Sequence, residues 1–502
     1  MNNRLLKVLI VIMLVSLLGC DKPKPNALFR SPVVGLIQNN QVPILIKCMN
    51  DGDVRIQYQI LDGSSSHLTD WSELTELNSY TTNIFLQEIL SNSNYRYRVQ
   101  FEDRVYSDWF TFKTFPEQNV AGEFNFIFSA CLREKYMGYN IFEKIKQSSP
   151  TFMALLGDQM YADYDGNLNE LEHYQNNETH RQTMIDSGEI VLDDTTILDA
   201  FRNKYNRVFD ENYQKMASRI PLLAIWDDHD YGKDNSDETY PYKNEARKAF
   251  KENFPDYSYE ENDGGIYYKF TIADVDVFVL DTRWYRSPME NQDGDSKTML
   301  GTKQLNWFLN GLNNSKAKFK IVFSSVSLNE YGGDTSSGRD GYDNWSSYLN
   351  ERNKIFNFIN DNNINGVLVF SGDQHYPSAH ILNFNSSVNY LTKTDTTIEY
   401  SISDMGNAIF DFSSSPLNYK IATGHRLIPE NQNNPKYAHE IFRPEWAKPE
   451  KMVKSDDIVI TSVYGHVEID TESPNANVLV KFFELNPETT EMVEVYQISI
   501  TN

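Results

Sequence analysis

Leu222-Leu223-Ala224-Ile225-Trp226-Asp227-Asp228-His229-Asp230-Tyr231-Gly232 is the stretch on which the fold and chemistry of this chain turn. An apolar run of strand length passes directly into three consecutive acidic or imidazole side chains. Carboxylates placed that close after a buried strand repel one another and lose hydration unless cations pair them. Metals are the simplest remedy. Four other segments repeat the pattern: Phe126-Ile127-Phe128-Ser129-Ala130-Cys131, Leu155-Leu156-Gly157-Asp158-Gln159-Met160-Tyr161-Ala162-Asp163, Phe278-Val279-Leu280-Asp281-Thr282-Arg283-Trp284-Tyr285-Arg286 and Val369-Phe370-Ser371-Gly372-Asp373-Gln374-His375. Each sets polar side chains just past the C-terminal end of an apolar strand, where α/β sheets place their sites. A lone Gly-Asp there is more often a turn residue or a helix N-cap. Five such clusters in chain order are much harder to explain by turns.

Between these segments, apolar strands alternate with helical stretches. Strands are expected at Phe124–Ser129, Phe152–Leu156, Leu222–Trp226, Val275–Leu280, Lys320–Ser325 and Val367–Phe370. Helices are expected at Thr196–Ala217, Asn244–Asn253, Thr302–Leu312 and Tyr348–Asn362. This is α/β texture. Ile458–Val463, His466–Asp470, Val478–Glu484 and Glu494–Ile500 return to strands, expected as hairpins closing a second sheet. Before Pro116 the chain reads as strand throughout, with turns at Asn50–Asp53, Asp62–Ser64 and Ser91–Asn94. That region resembles a fibronectin-III-like β-sandwich. The expected domains are a leader at 1–20, a tether at 21–27, a β-sandwich at 28–118 and an α/β catalytic domain at 119–502, with 455–502 its closing strands.

The 502 residues suit two or three domains, and 23% charged residues is ordinary for a globular chain. With 46 basic against 70 acidic residues the formal charge is −24. That field repels nucleic-acid backbones and argues against a nucleic-acid-binding role beyond a substrate. It does not repel a small anion from a site held by metals, because bound cations dominate the local potential. Arg4 and Lys7 precede an apolar run, Val8–Leu18, that is too short to span a membrane. The run ends in Leu17-Leu18-Gly19-Cys20, which resembles a bacterial lipobox. Cleavage before Cys20 and a lipid on its sulfur are therefore expected, the alternative being an uncleaved anchor helix. The expected location is the cell envelope, on a bacterial membrane facing the periplasm or exterior.

The series Gly-Asp-x-x-Tyr, Trp-Asp-Asp-His-Asp-Tyr-Gly, Leu-Asp-x-Arg-x-Tyr-Arg and Ser-Gly-Asp-x-His, from Phe124 to His375, resembles the PhoD-like (alkaline phosphatase D) metallophosphatases. Leu300-Gly301-x-x-Gln304-x-x-Trp307-Phe308-Leu309 fits as well, as does the stretch around Trp345, Glu351 and Arg352. The resemblance implies a four-layer α/β/β/α metallophosphoesterase domain behind an accessory sandwich. It implies two or more metal ions, Fe3+ with Ca2+ or another divalent cation. Cys131 would be a thiolate ligand, the alternative being a disulfide with Cys48. Asp158 would bridge the two metals and Tyr161 would add a phenolate. Asp228 would bind the second metal, Asp373 and His375 would complete the site, and His229 would protonate the leaving oxygen. Arg283 and Arg286 would bind phosphate oxygens, the alternative being a structural pair tying their loop to Asp281.

The implied reaction is hydrolysis of mono- and diesters by a metal-activated hydroxide attacking phosphorus in line, with no covalent intermediate on Ser129. A phospholipase- or teichoic-acid-type diesterase at the membrane is one rival reading. A surface-binding lipoprotein without catalysis is another. One departure concerns the third motif, where Lys233-Asp234-Asn235 stands in place of the family's Asn-Asp. A carboxylate at 234 would suit calcium or magnesium as well as a transition metal.

Overall fold

The structure, a computed structural model, describes residues 27–102, 105–133, 140–163, 194–329, 343–383, 397–401, 406–420, 438–447, 460–474, 476–486 and 488–501. The leader, Cys20 and nearly all of the 21–27 tether lie outside the described residues.

Successive side chains on a strand face opposite ways, so a strand buried on both faces feeds two cores. In Val275–Val279, Val277 and Val279 join one apolar cluster and Phe278 another. Ile321 and Phe323 part from Val322 in the same way, and Leu368 and Phe370 part from Val367 and Val369. The first cluster lies between two sheets. Phe126 meets Phe323 and Phe370 edge-on at ring distances of 5.5 and 5.1 Å, and Phe128 meets Phe370 at 4.9 Å. Each fully buried ring of this kind stabilises the fold by roughly 1.5–3 kcal/mol, with about 0.5–1.5 kcal/mol more from each aromatic pair. The second cluster packs Phe308 and Leu312 of helix Gly301–Asn314, and Ile355, Phe356 and Ile359 of helix Leu349–Asp361, onto the far face of one sheet. Helices Ile141–Ser148 and Glu211–Ala217 pack on each other through Phe142 and Tyr213, whose rings stack at 4.5 Å.

Each sheet has seven strands. The first runs Leu222–Ile225, Phe152–Leu156, Glu123–Ser129, Val463–Asp470, Asn477–Leu485, Met492–Thr501 and Thr397–Ser401. Its first three strands are mutually parallel. The second runs Tyr268–Ile272, Val275–Val279, Lys320–Phe323, Val367–Ser371, Ile409–Ser413, Ser378–Leu382 and Ala438–Phe442, with a parallel centre from Val275 to Ser413. The closing strands thus extend the first sheet, not a second one. Val463–Asp470 pairs antiparallel with Glu123–Ser129 in the register Val467↔Phe126. Alternation along those strands reveals that one face is buried but does not name the partner. The single helix expected over Thr196–Ala217 is two, Asp194–Val208 and Glu211–Ala217. Asp210 breaks it by capping the second helix, accepting the Tyr213 N–H at 2.8 Å.

The N-terminal region forms two small antiparallel sheets. One contains Val33–Val34, Val42–Lys47 and Thr81–Leu86, and the other is built on Gly52–Ile60, Asn94–Phe101 and Phe110–Lys113. It docks on the α/β unit through buried polar contacts. Tyr97 Oη donates to Ser218 O at 3.0 Å, Lys47 Nζ donates to Asn206 at 2.9 Å, and the Arg30 guanidinium lies 3.7 Å over the Phe209 ring. No disulfide joins Cys48 and Cys131.

Candidate metal centre

Parallel strands release their chains at the same edge, and there the five motif turns converge. Cys131, Asp158, Asp373 and His375 all have left-handed backbones, with φ of 61°, 52°, 62° and 60°. For residues with a Cβ this costs roughly 1–3 kcal/mol each and persists only where surrounding contacts enforce it. The contacts are present. Cys131 N donates to Gly157 O at 3.2 Å, Leu132 N to Asp158 O at 2.7 Å, and His375 N to Ser415 Oγ at 2.7 Å. The turns are also pressed together. A Cβ on Gly157 would lie 2.5 Å from that of Asp227, and one on Gly372 would lie 2.2 Å from that of Ala130.

Two groups of donors result. The ligating atoms of Cys131, Asp158 and His375 lie within 4.8 Å of one another, and so do those of Asp158, Asp228 and His229. Asp158 belongs to both. Its Oδ2 accepts the Tyr161 hydroxyl at 3.2 Å and lies 3.6 Å from Cys131 Sγ. Its Oδ1 is buried with no hydrogen-bond partner. Burial pushes the Asp158 carboxyl well above the usual range; Asp228, Asp227 and Asp230 push it further, against the pull of His229. An orphaned carboxylate oxygen beside a thiol, a phenol and two imidazoles is a donor set that fits a pair of cations.

His229 is held by Asp163, whose Oδ1 lies 2.6 Å from Nδ1. The Lys233-Asp234-Asn235 departure folds back over this group. Asp234 N donates to Asp163 Oδ2 at 2.8 Å, Asn235 N to Asp228 Oδ2 at 2.7 Å, and the Asp234 carboxylate stands 4.0 Å from His229 Nε2. Burial disfavours the Asp228 carboxylate. His229, Arg283 and the Asn235 N–H outweigh that and hold its pKa below the ordinary value. Asp230 ties the turns together, accepting the N–H groups of Gln159, Met160 and Asp227.

Of the residues singled out from the sequence, Cys131, Asp158, Asp228, His229 and His375 fall in the donor groups, and Tyr161 touches Asp158. Asp373 belongs to neither group, although its charge acts on Asp227. Arg283 and Arg286 are the remaining two. Both are buried, and both are engaged by carboxylates. Arg283 Nε donates to Asp227 at 2.6 Å and its two terminal nitrogens grip Asp343 at 3.0 and 2.7 Å. Arg286 pairs with the same Asp343 at 2.5 Å and donates to Tyr348 Oη at 3.0 Å. The Arg283 guanidinium is thereby spent on buried carboxylates, whereas both terminal nitrogens of Arg286 are buried without a hydrogen-bond partner. Nor is Asp281 the partner of the Arg283 side chain. It accepts Trp226 Nε1 and the N–H groups of Ile266, Arg283 and Trp284.

Sequence reasoning passed over Asp163, Asp343 and Ser325, whose Oγ donates to Asp227 at 2.7 Å. Asp163 was within reach, since it ends the quoted Gly-Asp-x-x-Tyr-x-Asp run. Asp343 has no local signal, because no apolar run precedes it in the sequence.

Residues 126–472 match the family model for PhoD-like phosphatases. Alkaline phosphatase D of Bacillus subtilis (strain 168) is 26% identical over 287 residues, 52% of this chain and 47% of that protein. The chain thus spans about half the length of that curated relative. A solved structure of PhoD superposes with a TM-score of 0.64 at 18% identity, covering 93% of this chain and 91% of the other. A purple acid phosphatase from yellow lupin (Lupinus luteus) seeds superposes with a TM-score of 0.58 at 11% identity, covering 94% and 74%. At such identities the two structures speak for a shared metallophosphatase-like α/β fold. The family match covers the whole run of turns that carries the donor groups, from the strand before Cys131 to beyond His375, and the chain belongs to the PhoD-like phosphatase family.

Proposed function

We propose that this chain hydrolyses phosphate esters with two cations held at the shared Asp158. The observation that carries the reading is that two three-donor groups have one carboxylate in common. Cys131, Asp158, Tyr161 and His375 would hold one ion; their thiolate and phenolate character favours a trivalent, iron-like ion. Asp158 and Asp228 would hold the other, calcium or another divalent ion. Asp373, on the same left-handed turn as His375, would complete the site. When bound, such ions supply Lewis acidity toward an attacking water and offset charge on the phosphoryl oxygens.

The protein's own groups orient and move protons. Asp163 fixes the His229 ring by accepting from Nδ1, which leaves Nε2 to serve the leaving oxygen. Burial disfavours the charged imidazole, but Asp163, Asp228 and Asp158 outweigh it and raise its pKa well above the ordinary value. Held in this way, His229 would pass a proton from Nε2 to a departing alkoxide. Ser129 is fully buried and donates to Val463 O at 2.7 Å, which suits direct attack by water instead of a covalent intermediate. Arg283 and Arg286 hold Asp227 and Asp343 in place. The leader and Cys20 support a site of action outside the cytoplasm, tethered to a bacterial membrane by lipid.

The test uses the purified chain from Leu28 onward, with elemental analysis and hydrolysis of p-nitrophenyl phosphate and bis-p-nitrophenyl phosphate. Ester hydrolysis that falls away with bound metal in Cys131→Ala supports the reading. A protein with no bound metal, inactive on both esters after iron, calcium, manganese or zinc is added, overturns it.

A further inference from the structure

Helix Lys243–Lys251 buries Ala246, Ala249 and Phe250 and leaves Arg247, Lys248 and Lys251 outside that face. Residues four apart on a helix are neighbours, so Arg247 and Lys251 repel one another. These three cations line a cavity of about 600 Å³ between the helix and strand Thr81–Leu86 of the N-terminal region, which contributes Thr82 and Asn83, and Trp284 forms an apolar wall. That volume suits a small molecule. In a chain of formal charge −24 such a cluster runs against the overall field. The counter-charge around it is spent or short. Glu252 lines the cavity but is gripped by Arg202 at 2.6 and 2.7 Å. Arg247 donates to a backbone carbonyl, Glu261 O, at 3.0 Å. Among the described residues no carboxylate forms an ion pair with Arg247, Lys248 or Lys251. Asp263, also on the lining, is exposed. Burial and the Arg247 charge lower the Lys251 pKa, outweighing Asp256 and Asp263. The helix dipole accounts for cations in its last turn, but not for a cavity that gathers three of them.

We propose that this cavity binds a small phosphate-bearing molecule through Arg247, Lys248 and Lys251, as an anion site separate from the metal centre. Its lining shares no residue with the two donor groups, and the proposal does not depend on the phosphoesterase reading. A phosphate group presents several oxygens and up to two charges. One guanidinium and two ammonium groups on a single helix face meet them with charge-assisted donors. Asn83 Oδ1 accepts the Asp256 N–H at 3.0 Å, which leaves its Nδ2 as a further donor. A molecule seated here touches both the N-terminal region and the α/β unit. It therefore binds the folded, docked chain in preference to the unfolded one and stabilises it.

The experiment titrates inorganic phosphate calorimetrically into Asp158→Asn, which lacks the carboxylate shared by the donor groups, and into the same chain with Lys248→Ala and Lys251→Ala added. A control chain adds Lys269→Ala and Lys316→Ala instead, two exposed lysines elsewhere that make the same change in net charge. Thermal unfolding of each is followed with and without phosphate. Phosphate should bind Asp158→Asn and the control alike. Its affinity should fall by roughly 10- to 100-fold when Lys248 and Lys251 are removed, the value of a charge-assisted hydrogen bond. The rise in melting temperature that phosphate brings should vanish with it, while the melting temperature without phosphate holds. Lys248→Glu alone, at an exposed position, should weaken binding as well. No phosphate binding to Asp158→Asn, an affinity unchanged without Lys248 and Lys251, or an equal loss in the control would overturn the proposal. Ester hydrolysis is not needed for either outcome.

Discussion

Replacing Asp163 by Asn separates the two roles the geometry offers His229, proton donor or metal ligand. Asp163 is buried and its Oδ1 lies 2.6 Å from His229 Nδ1. With charge centres about 4 Å apart and an effective dielectric near 20, the pair attracts by about 4 kcal/mol. That attraction favours the charged imidazole. Asn keeps the shape and can still accept from Nδ1, but it removes that charge, so much less of the imidazole is protonated at neutral pH. General-acid catalysis is worth roughly 100- to 10,000-fold. Nitrophenolate departs without a proton, whereas an alkoxide needs one. Asp163→Asn and His229→Gln should therefore lower kcat for an alkyl phosphate by about 100-fold or more, and for p-nitrophenyl phosphate by only a few-fold. The assay is steady-state hydrolysis of both esters, with metal content measured on each sample. Equal losses on the two esters, with metal lost from both variants, would refute the proton-donor role and make His229 a ligand.

Other consequences can be checked by stability measurements. Asp343→Asn strips the charge shared by two buried guanidiniums; since the Asp343 side chain is 17% exposed, the loss in urea unfolding should be about 2–3 kcal/mol, below the full cost of breaking a buried pair. A change under about 0.5 kcal/mol would contradict the ion pairing described. Lys47 is buried at the junction of the two units, and burial, with Arg30 and Arg202 nearby, brings its pKa down to about 7 from 10.5. The unfolded chain keeps that proton up to the higher value while the folded chain gives it up above about 7, so stability rises with pH across that window. Lys47→Met should add about 2–4 kcal/mol at pH 7, less toward pH 10, and flatten the slope. An unchanged slope would mean that Lys47 stays charged when folded. Gly372→Ala drives a methyl group into Ala130 and should cost about 1–3 kcal/mol, with weakened metal retention; a fully stable, fully loaded variant would show that the two turns are not packed as described.

Much of the site was legible because its ligands follow fully buried strands. Runs such as Phe152–Leu156 and Leu222–Ile225 have no polar residue to confuse them, and the acidic turns beyond them stand out. Other strands were hidden by buried polar groups. Ile409–Ser413 carries Asp411 in its middle, and that carboxylate is acceptable inside only because Ser327 Oγ and Asn329 N donate to it at 2.8 Å. Ser378–Leu382 is broken in the same way by His380, 3.2 Å from Asn329 Nδ2. The ion pairs of Arg283 and Arg286 with Asp343 were not legible for a different reason. A sequence displays a guanidinium but not the carboxylate that captures it, and Asp343 lies 60 residues from Arg283 in the chain.

The central claim is that one carboxylate serves two cations. Elemental mass spectrometry of the wild type, Asp158→Asn, Cys131→Ala and Asp228→Asn tests it most directly. The account predicts about two ions per wild-type chain, as expected of a two-metal hydrolytic site. It predicts loss of both in Asp158→Asn, loss of the iron-like ion in Cys131→Ala and loss of the other in Asp228→Asn. An Asp158→Asn protein that retains the wild-type metal content would contradict it.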